Sequence, residues 1–597
     1  MEVVNLEKAL SRKEMLSVSR PARYIGREWN ITVKEKEAIE LSIALAFPDL
    51  YEIGMSHLGL KILYHILNSL PGVRAERAFA PWPDMGNMMK KKNIPLYSLE
   101  SKIPLRNFDA VGISLQHELN YTNVLYLLDL AGIPLRSEER GEEFPLILGG
   151  GPCAFNPEPL SPFFDVFLLG EGEEAIVEMV EVLKAMRGEK REKVLSELAK
   201  IEGCYVPLLY SVSYHSDGKI KDISPPRVVR KRWVRDLDSA SYPPEIIVPY
   251  LNIVHDRIPL EIARGCTRGC RFCQAGMIYR PHRERSPEKV IELAEKLVKS
   301  TGYEEISLLS LSSTDYSNIE YLIRELSFRL KEDRVNVSLP SLRMDAFSVE
   351  VARSLQEVRR SGLTFAPEAG SERLRRAINK GLTDEDIFRT VEKTFSLGWK
   401  EVKLYFMIGL PGEREEDIRD IANLVREVLS RGKKKGVHLG ISAFIPKPHT
   451  PFQWVKQEKI ESLEEKMAIL RSLLRPLGRQ VRYNWSDFEA NLIEGALSRG
   501  DRRVSSVVER VYQKGGVMDN WREFFSLSRW REGFEEEGLD LDFYTHRERE
   551  REETFPWEHL SSGVSKEFLW KEYQLSMEGK ITLPCQEEER CYNCGVC

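Results

Sequence analysis

Gly265-Cys266-Thr267-Arg268-Gly269-Cys270-Arg271-Phe272-Cys273 places three thiols within eight residues. Cysteine thiolates are the usual holders of iron-sulfur clusters, and a fourth cysteine normally completes a 4Fe-4S cube. No fourth cysteine lies near the loop, so three thiolates would leave one iron open to another ligand. Zinc is the rival reading, but three cysteines without a neighbouring His or Cys make a poor closed tetrahedron.

The chain around the loop has 597 residues, room for about three or four domains, since single cores usually stop growing near ~250–300 residues. Hydrophobic content of 42% and charged content of 30% are ordinary for a globular protein. No apolar run approaches the ~18 residues of a membrane span. The opening stretch MEVVNLEKALSRKEM lacks a signal-peptide pattern, which predicts a cytoplasmic location. A net charge of −5 gives no global nucleic-acid footprint, and the basic runs Lys433-Lys434-Lys435 and Arg499 to Arg503 read as solvated faces. Of nine cysteines, seven fall in two tight groups, which in a cytosolic chain means metal binding rather than disulfides. Cys153 and Cys204 stand alone and read as buried structural thiols.

Residues 1–40 form an extension. From 41 to 199 strands and helices alternate: Leu41 to Phe47 predicts a strand, a helix carrying Leu58, Ile62, Leu63 and Leu67 follows, and Ala110 to Leu115 and Pro145 to Gly149 read as buried parallel strands. A doubly wound, Rossmann-like α/β domain is expected, with ligands beyond the carboxyl ends of its strands. Those ends carry Tyr51 to His57, Ser114 to Glu118, Gly149-Gly150-Gly151-Pro152 and Gly170-Glu171-Gly172-Glu173. Residues 200–250, with Ser224-Pro225-Pro226 and Tyr242-Pro243-Pro244, read as a linker. From 251 to 455 the alternation resumes. Ser286-Pro287-Glu288 opens a helix, and strands are expected at Ile306 to Leu311, Val335 to Leu339, Gly362 to Ala366, Val402 to Ile408 and Leu439 to Phe444. Parallel β/α repetition with function at the carboxyl strand ends describes a barrel. Residues 456–580 are charged, aromatic and helical, and 581–597 form a cysteine-rich tail.

The Cys-x3-Cys-x2-Cys spacing, with aromatic Phe272 before the last cysteine, resembles the radical S-adenosylmethionine (radical SAM) superfamily. The resemblance implies a partial (β/α)6 barrel in which Cys266, Cys270 and Cys273 hold a 4Fe-4S cluster whose free iron chelates SAM, and reductive cleavage of SAM to a 5′-deoxyadenosyl radical. It assigns SAM contacts to Ser312 and Ser313, with Asp315 nearby, and the SAM carboxylate to Arg343. A plain turn and a surface salt bridge are the respective alternatives. Pro367-Glu368-Ala369-Gly370-Ser371 resembles the family's Glu-x-Gly-Ser segment, which makes Glu368, Gly370 and Ser371 cofactor contacts, while Ser371 also suits a helix N-cap. Gly409 and Gly412 would let backbone approach adenine or simply turn tightly. His449 reads as a satisfied loop histidine before a proton donor. These last segments resemble the methylthiotransferase-related branch.

The Gly-Gly-Pro turn, Asp165 and the Gly-Glu-Gly-Glu run resemble the cobalamin-binding domain that precedes the barrel in one radical SAM class. Base-off, His-on members carry Asp two residues before the cobalt-ligating His. Here the segment is Met55-Ser56-His57, and a helix-start role for His57 is preferred. The domain either binds cobalamin without that ligand or binds nothing. In the tail, Cys585, Cys591, Cys594 and Cys597 suit a second iron-sulfur cluster or a zinc ion, a disordered redox tail being the alternative.

The resemblance covers residues 41 to 455 and implies a transferase: methyl transfer if cobalamin binds, or a cobalamin-independent RNA-modifying reaction of the methylthiolation type. A reducing partner such as flavodoxin or ferredoxin and an RNA substrate are the implied partners. A non-catalytic iron-sulfur electron carrier or RNA-binding module is the rival class, and Glu368, Gly370, Ser371 and Gly409 speak against it. Replacing Cys266, Cys270 and Cys273 together with alanine is expected to remove about four irons per chain. It should also abolish 5′-deoxyadenosine formation, while alanine at Cys591, Cys594 and Cys597 leaves the first cluster in place. Iron analysis and nucleoside chromatography check both.

Overall fold

The computed structural model describes residues 3–345, 363–432, 435–585 and 591–596. The first domain is a parallel sheet of β1 (Leu41–Phe47), β2 (Val73–Phe79), β3 (Ala110–Ser114), β4 (Leu146–Gly150) and β5 (Val166–Leu168), ordered 2-1-3-4-5. The two-residue strand β6 (Cys204–Tyr205) closes it antiparallel to β5. Every residue of β1 is buried, as a strand covered on both faces requires. Helices α1 (Leu58–Ser69), α2 (Tyr121–Ala131) and α3 (Ala175–Ala185) supply the cover. Strand order reverses between β1 and β3, and a crevice opens at their carboxyl ends, where such sheets hold ligands.

Asp165 lies at the opposite end. Its carboxylate accepts the Ile147 N–H (2.6 Å) and pairs with Arg140 and Arg191 at 3.1 and 2.6 Å, so it staples β4 to β5 away from the crevice. Residues 200–250 are structured. They contain β6, the hairpin Ser211–Tyr214 with Ile220–Ser224, and Val229–Arg230, which pairs in parallel with Leu560–Ser561. Cys153 and Cys204 are buried, as expected.

The barrel comprises two parallel sheets. One holds β7 (Ile258–Glu261), β8 (Glu305–Leu309) and β9 (Asn336–Ser338). The other holds β10 (Leu363–Glu368), β11 (Glu401–Ile408), β12 (Gly436–Ala443) and β13 (Val481–Trp485). Strand β13 adds a seventh strand to the six expected, inside a stretch read as helical. Its Arg482 and Asn484 break the apolar pattern that marks a covered strand. Helices α4 (Pro287–Thr301), α5 (Ile319–Arg329), α6 (Glu372–Ala377), α7 (Asp384–Ser396), α8 (Glu415–Ser430) and α9 (Ile460–Leu474) lie between or beyond the strands. In β11, Val402, Leu404, Phe406 and Ile408 are buried while Lys403, Tyr405 and Met407 face the barrel interior, the period-two alternation of a strand.

Helices α10 (Phe488–Ser498), α11 (Val504–Gln513), α12 (Leu527–Glu536) and α13 (Lys566–Met577) form the carboxyl-terminal region. The basic run from Arg499 to Arg503 is not a solvated face. Arg499 is fully buried and donates to the Val455 and Thr545 carbonyls, Arg502 pairs with Glu158 at 2.9 Å, and Arg503 pairs with Asp501 at 2.7 Å. Of the other basic run, Lys433 and Lys434 lie outside the described residues. Among the described residues no helix is long and apolar enough to cross a membrane.

Gly370 fixes how β10 meets α8. A Cβ there would stand 2.3 Å from the Ile421 nitrogen and 2.5 Å from the Asp417 oxygen. Gly370→Ala is expected to cost about 1–3 kcal/mol through backbone separation. A lowered urea midpoint without a change of secondary structure would show it.

Candidate functional site

The cysteine loop leaves β7 at the carboxyl end of the barrel and turns at Gly265, whose φ of +77° and tight surroundings admit only glycine. A Cβ would lie 2.5 Å from the Pro281 oxygen. The thiols of Cys266, Cys270 and Cys273 are partly shielded and sense one another. Burial first, then the neighbouring Cys270, pushes Cys273 up to about 12, and the same two causes raise Cys266. Ionised together, the three would need a positive partner. Among the described residues their sulfurs do not gather into a single-ion grouping, as a tetrahedral zinc would require. The Gly276 N–H donates to the Cys273 sulfur at 3.3 Å.

Charged groups ring these thiols. Arg343 and Lys380 both lie within electrostatic reach of Cys270, and Asp315 and Arg343 within reach of Cys266. Arg343 pairs with Asp345 at 3.0 Å and donates to the Lys380 carbonyl at 3.1 Å. The Lys380 ammonium reaches Glu368 at 3.1 Å. Glu368 ends β10 with φ +70°, a left-handed conformation that costs energy in a side-chain-bearing residue, and such strain gathers at functional sites. Ser312 donates to Asp315 at 2.7 Å, and Asp315 in turn receives the Arg268 guanidinium, also at 2.7 Å. Phe272 packs on a small apolar cluster with Leu410, Phe444 and Phe452, next to the Gly409 turn. Gly409 has φ +81° and donates its N–H to Glu413 at 2.8 Å.

Three expected cofactor contacts are taken up by the fold itself. Ser313 is fully buried and donates to the Pro340 carbonyl at 2.7 Å. Ser371 caps α6 through the Leu374 N–H and bonds Asp417. Gly370 abuts α8. Sequence reasoning missed Lys380, Arg268, Asp345 and Asn379. Asn379-Lys380-Gly381 follows a short helix and reads as its end, so only folding shows that it returns to the loop. His449 is buried, its Nε2 2.8 Å from the Phe155 carbonyl. Burial holds it down to about 4, a neutral loop histidine.

A cavity of about 400 Å³ lies between the crevice of the first domain and the base of the cysteine loop. Apolar Leu45, Ile62, Leu63 and Leu148 line it together with Gly112, Gly150, Gly265 and Ser310. At Gly112 and Gly150 no atom comes within 3.5 Å of an added Cβ, so their bare backbones open space. The Gly170-Glu171-Gly172-Glu173 run rims it. Glu171 holds Arg264 at 3.0 Å and Arg283 at 2.7 Å, and Glu173 holds Arg264 at 2.5 Å. His57 is on the wall, but its Nδ1 accepts the Leu60 N–H at 3.2 Å and caps α1. Behind the crevice, His117, Glu118 and Glu494 bring ligand atoms together, and the Lys447 ammonium sits with the carboxylates at 2.7 and 2.9 Å.

Residues 260–425 match the family described as the radical SAM superfamily, and 59–207 match the family described as radical SAM proteins, N-terminal. The chain belongs to the radical SAM superfamily. It is thus an enzyme of the class that uses a 4Fe-4S cluster and SAM, and the three thiols with their ring of charge fit both. An uncharacterised protein of Methanocaldococcus jannaschii is 29% identical over 83% of this chain and 97% of its own length. A ribosomal protein uS12 methylthiotransferase of Caldanaerobacter subterraneus subsp. tengcongensis is 28% identical, over 36% of this chain and half of the relative. The solved radical SAM methyltransferase TsrM from Kitasatospora setae, with cobalamin and a 4Fe-4S cluster bound, shares the fold. It has a TM-score of 0.50 at 14% identity, over 83% of this radical SAM chain and 98% of TsrM.

Burial pushes the His57 imidazole down to about 4. Unfolded, it takes up a proton near pH ~6.5. Between these values the unfolded chain binds more protons, so the stability from neutral His57 is present above the unfolded pKa and is lost as pH falls toward 4. His57→Asn, which keeps an N-cap, is expected to lessen the fall in unfolding free energy between about pH 7.5 and 5, read from urea curves, by up to about 2 kcal/mol.

Proposed function

We propose that this radical SAM enzyme is a cobalamin-dependent methyltransferase whose corrin occupies the cavity between the first domain and the cysteine loop. The observation that carries the reading is that one apolar, glycine-floored cavity reaches from Gly112 and Gly150 to Gly265, next to Cys266. A slot of this kind suits a flat ring system, and the shared TsrM fold supports it. When bound, the cluster and SAM supply the one-electron chemistry and the methyl group, and the corrin supplies a methyl carrier.

The chain's own residues then have these roles. Cys266, Cys270 and Cys273 hold the cluster. Arg343 and Lys380 receive the SAM carboxylate, and Glu368 with Asp315 receives its ammonium, since opposite charges pair best where water is scarce. Phe272 and the Gly409 turn wall the adenine. Ser312, Ser313, Gly370 and Ser371 hold these groups in position. His57 stays committed to α1 and is not free to ligate cobalt.

The inner face of the barrel exposes Tyr405, with the Lys403 ammonium 4.7 Å from its ring centre, and pairs His438 with Asn484 at 3.1 Å. This polar, open wall suits a large planar substrate such as an RNA base. The eight described cysteines, all free, accord with a reducing, cytoplasmic setting in which a flavodoxin- or ferredoxin-type protein is the electron donor.

Gly112→Val and Gly150→Val test the corrin site. Anaerobically reconstituted wild-type chain is expected to take up one corrin, read from cobalt content and visible absorbance. Both variants should keep their iron and lose corrin affinity at least about tenfold, because their side chains fill the cavity. Wild-type chain that takes up no corrin would overturn the cobalamin reading and favour the methylthiolation type.

A further inference from the structure

The carboxyl-terminal tail is fastened to the back of the cysteine loop. The Cys585 N–H donates to the Thr267 carbonyl at 2.9 Å, and the Tyr592 hydroxyl donates to the same oxygen at 3.1 Å. Thr582 donates its N–H to Asn379 at 2.8 Å, while the Asn379 amide reaches back to the Gly269 and Thr582 carbonyls, both at 3.1 Å. The Arg280 guanidinium lies over the rings of Phe568 and Tyr592, 5.4 and 5.2 Å from their centres. These anchors converge on Thr267 and Gly269, between the first two cysteines of the loop.

Cys585, Cys591 and Cys594 lie among the described residues, and, like those of the loop, their sulfurs do not gather into a single-ion grouping. Between Cys591 and Cys594, Asn593 has φ +52° and its N–H donates to the Cys591 sulfur at 3.3 Å, and Gly595 just beyond has φ +97°. The same N–H to sulfur bond is found at Cys273. Cys594 is buried, and its carbonyl accepts the Ser565 N–H at 2.8 Å. Cys585 is the third described thiol, and Cys597 lies outside the described residues.

We infer that Cys585, Cys591 and Cys594 hold a second iron-sulfur cluster, through which electrons enter the enzyme. The inference rests on the reading of the first loop as a cluster site. Zinc would only staple a tail that hydrogen bonds already fasten. A redox centre gains from the contact, because a single hydrogen bond, Cys585 N–H to Thr267 carbonyl, joins its ligand to the residue after Cys266. One electron leaves a reduced donor protein, which is oxidised, and reaches the loop's cluster, which is reduced by one. No bond forms or breaks.

The test uses the full chain, reconstituted without oxygen. With Cys266, Cys270 and Cys273 all changed to alanine, about four irons and a reduced-cluster paramagnetic resonance signal should remain. Adding Cys591→Ala and Cys594→Ala should remove both. On the intact loop, Cys591→Ala with Cys594→Ala should change dithionite-driven SAM cleavage less than about twofold, but slow cleavage driven by reduced flavodoxin at least about tenfold. Zinc or no metal in the loop-less variant, or equal effects with both reductants, would overturn the proposal. Iron in that variant, alongside a wild-type chain that cleaves no SAM, would support the tail site and sink the reading of the loop.

Discussion

Arg264 holds the two halves of this enzyme together, and the geometry of the site depends on it. Its guanidinium pairs with Glu261 at 2.8 Å on its own strand end, and with Glu171 and Glu173 across the domain boundary. The next residue is the Gly265 turn, and the one after it is the first cysteine. Charges taken this far from water are costly unless fully paired, so removing one partner leaves the others stranded. The cost enforces position: the carboxyl edge of the first sheet cannot drift from the cysteine loop without unpairing a buried network. The cavity between them inherits that rigidity.

The other arginines of the loop repeat the device in different directions. Arg268 reaches Asp315 and Asp345 at the barrel strand ends, and Arg271, fully buried, pairs with Glu572 of the carboxyl-terminal helix α13 at 3.0 Å. One short loop is therefore tied to the first domain, to the barrel and to the carboxyl-terminal region. Arg268 also lies within electrostatic reach of Cys266, and Arg271 of Cys270. Fastening and charge balance are the same set of contacts, which makes this loop a rigid support for chemistry that tolerates little misplacement.

Much of this was legible in the chain. Parallel strands such as β1 and β4 announce themselves as short apolar runs, because both faces are covered. The helix after Ser286 follows from its cap and its proline, and the cysteine spacing points to its superfamily. Strand β13 escaped because an edge strand with one wet face carries Arg482 and Asn484. The run from Arg499 to Arg503 misled because a buried arginine and a solvated one look alike until carbonyls and carboxylates are placed around them. The acidic Gly-Glu-Gly-Glu run suggested a ligand contact, yet its carboxylates serve Arg264 and Arg283.

The sequence by itself determined the three thiols, the alternation of strands and helices, and hence the superfamily, because spacing and periodicity are local properties. Only the tertiary structure decided which groups meet. It brought Lys380 to Glu368, turned Ser313 and Gly370 into packing, and set a glycine-floored cavity beside Gly265. It also laid the distant tail thiols against Thr267. Those outcomes rest on long-range pairing of buried charges and unfilled backbone donors, which no window of sequence records.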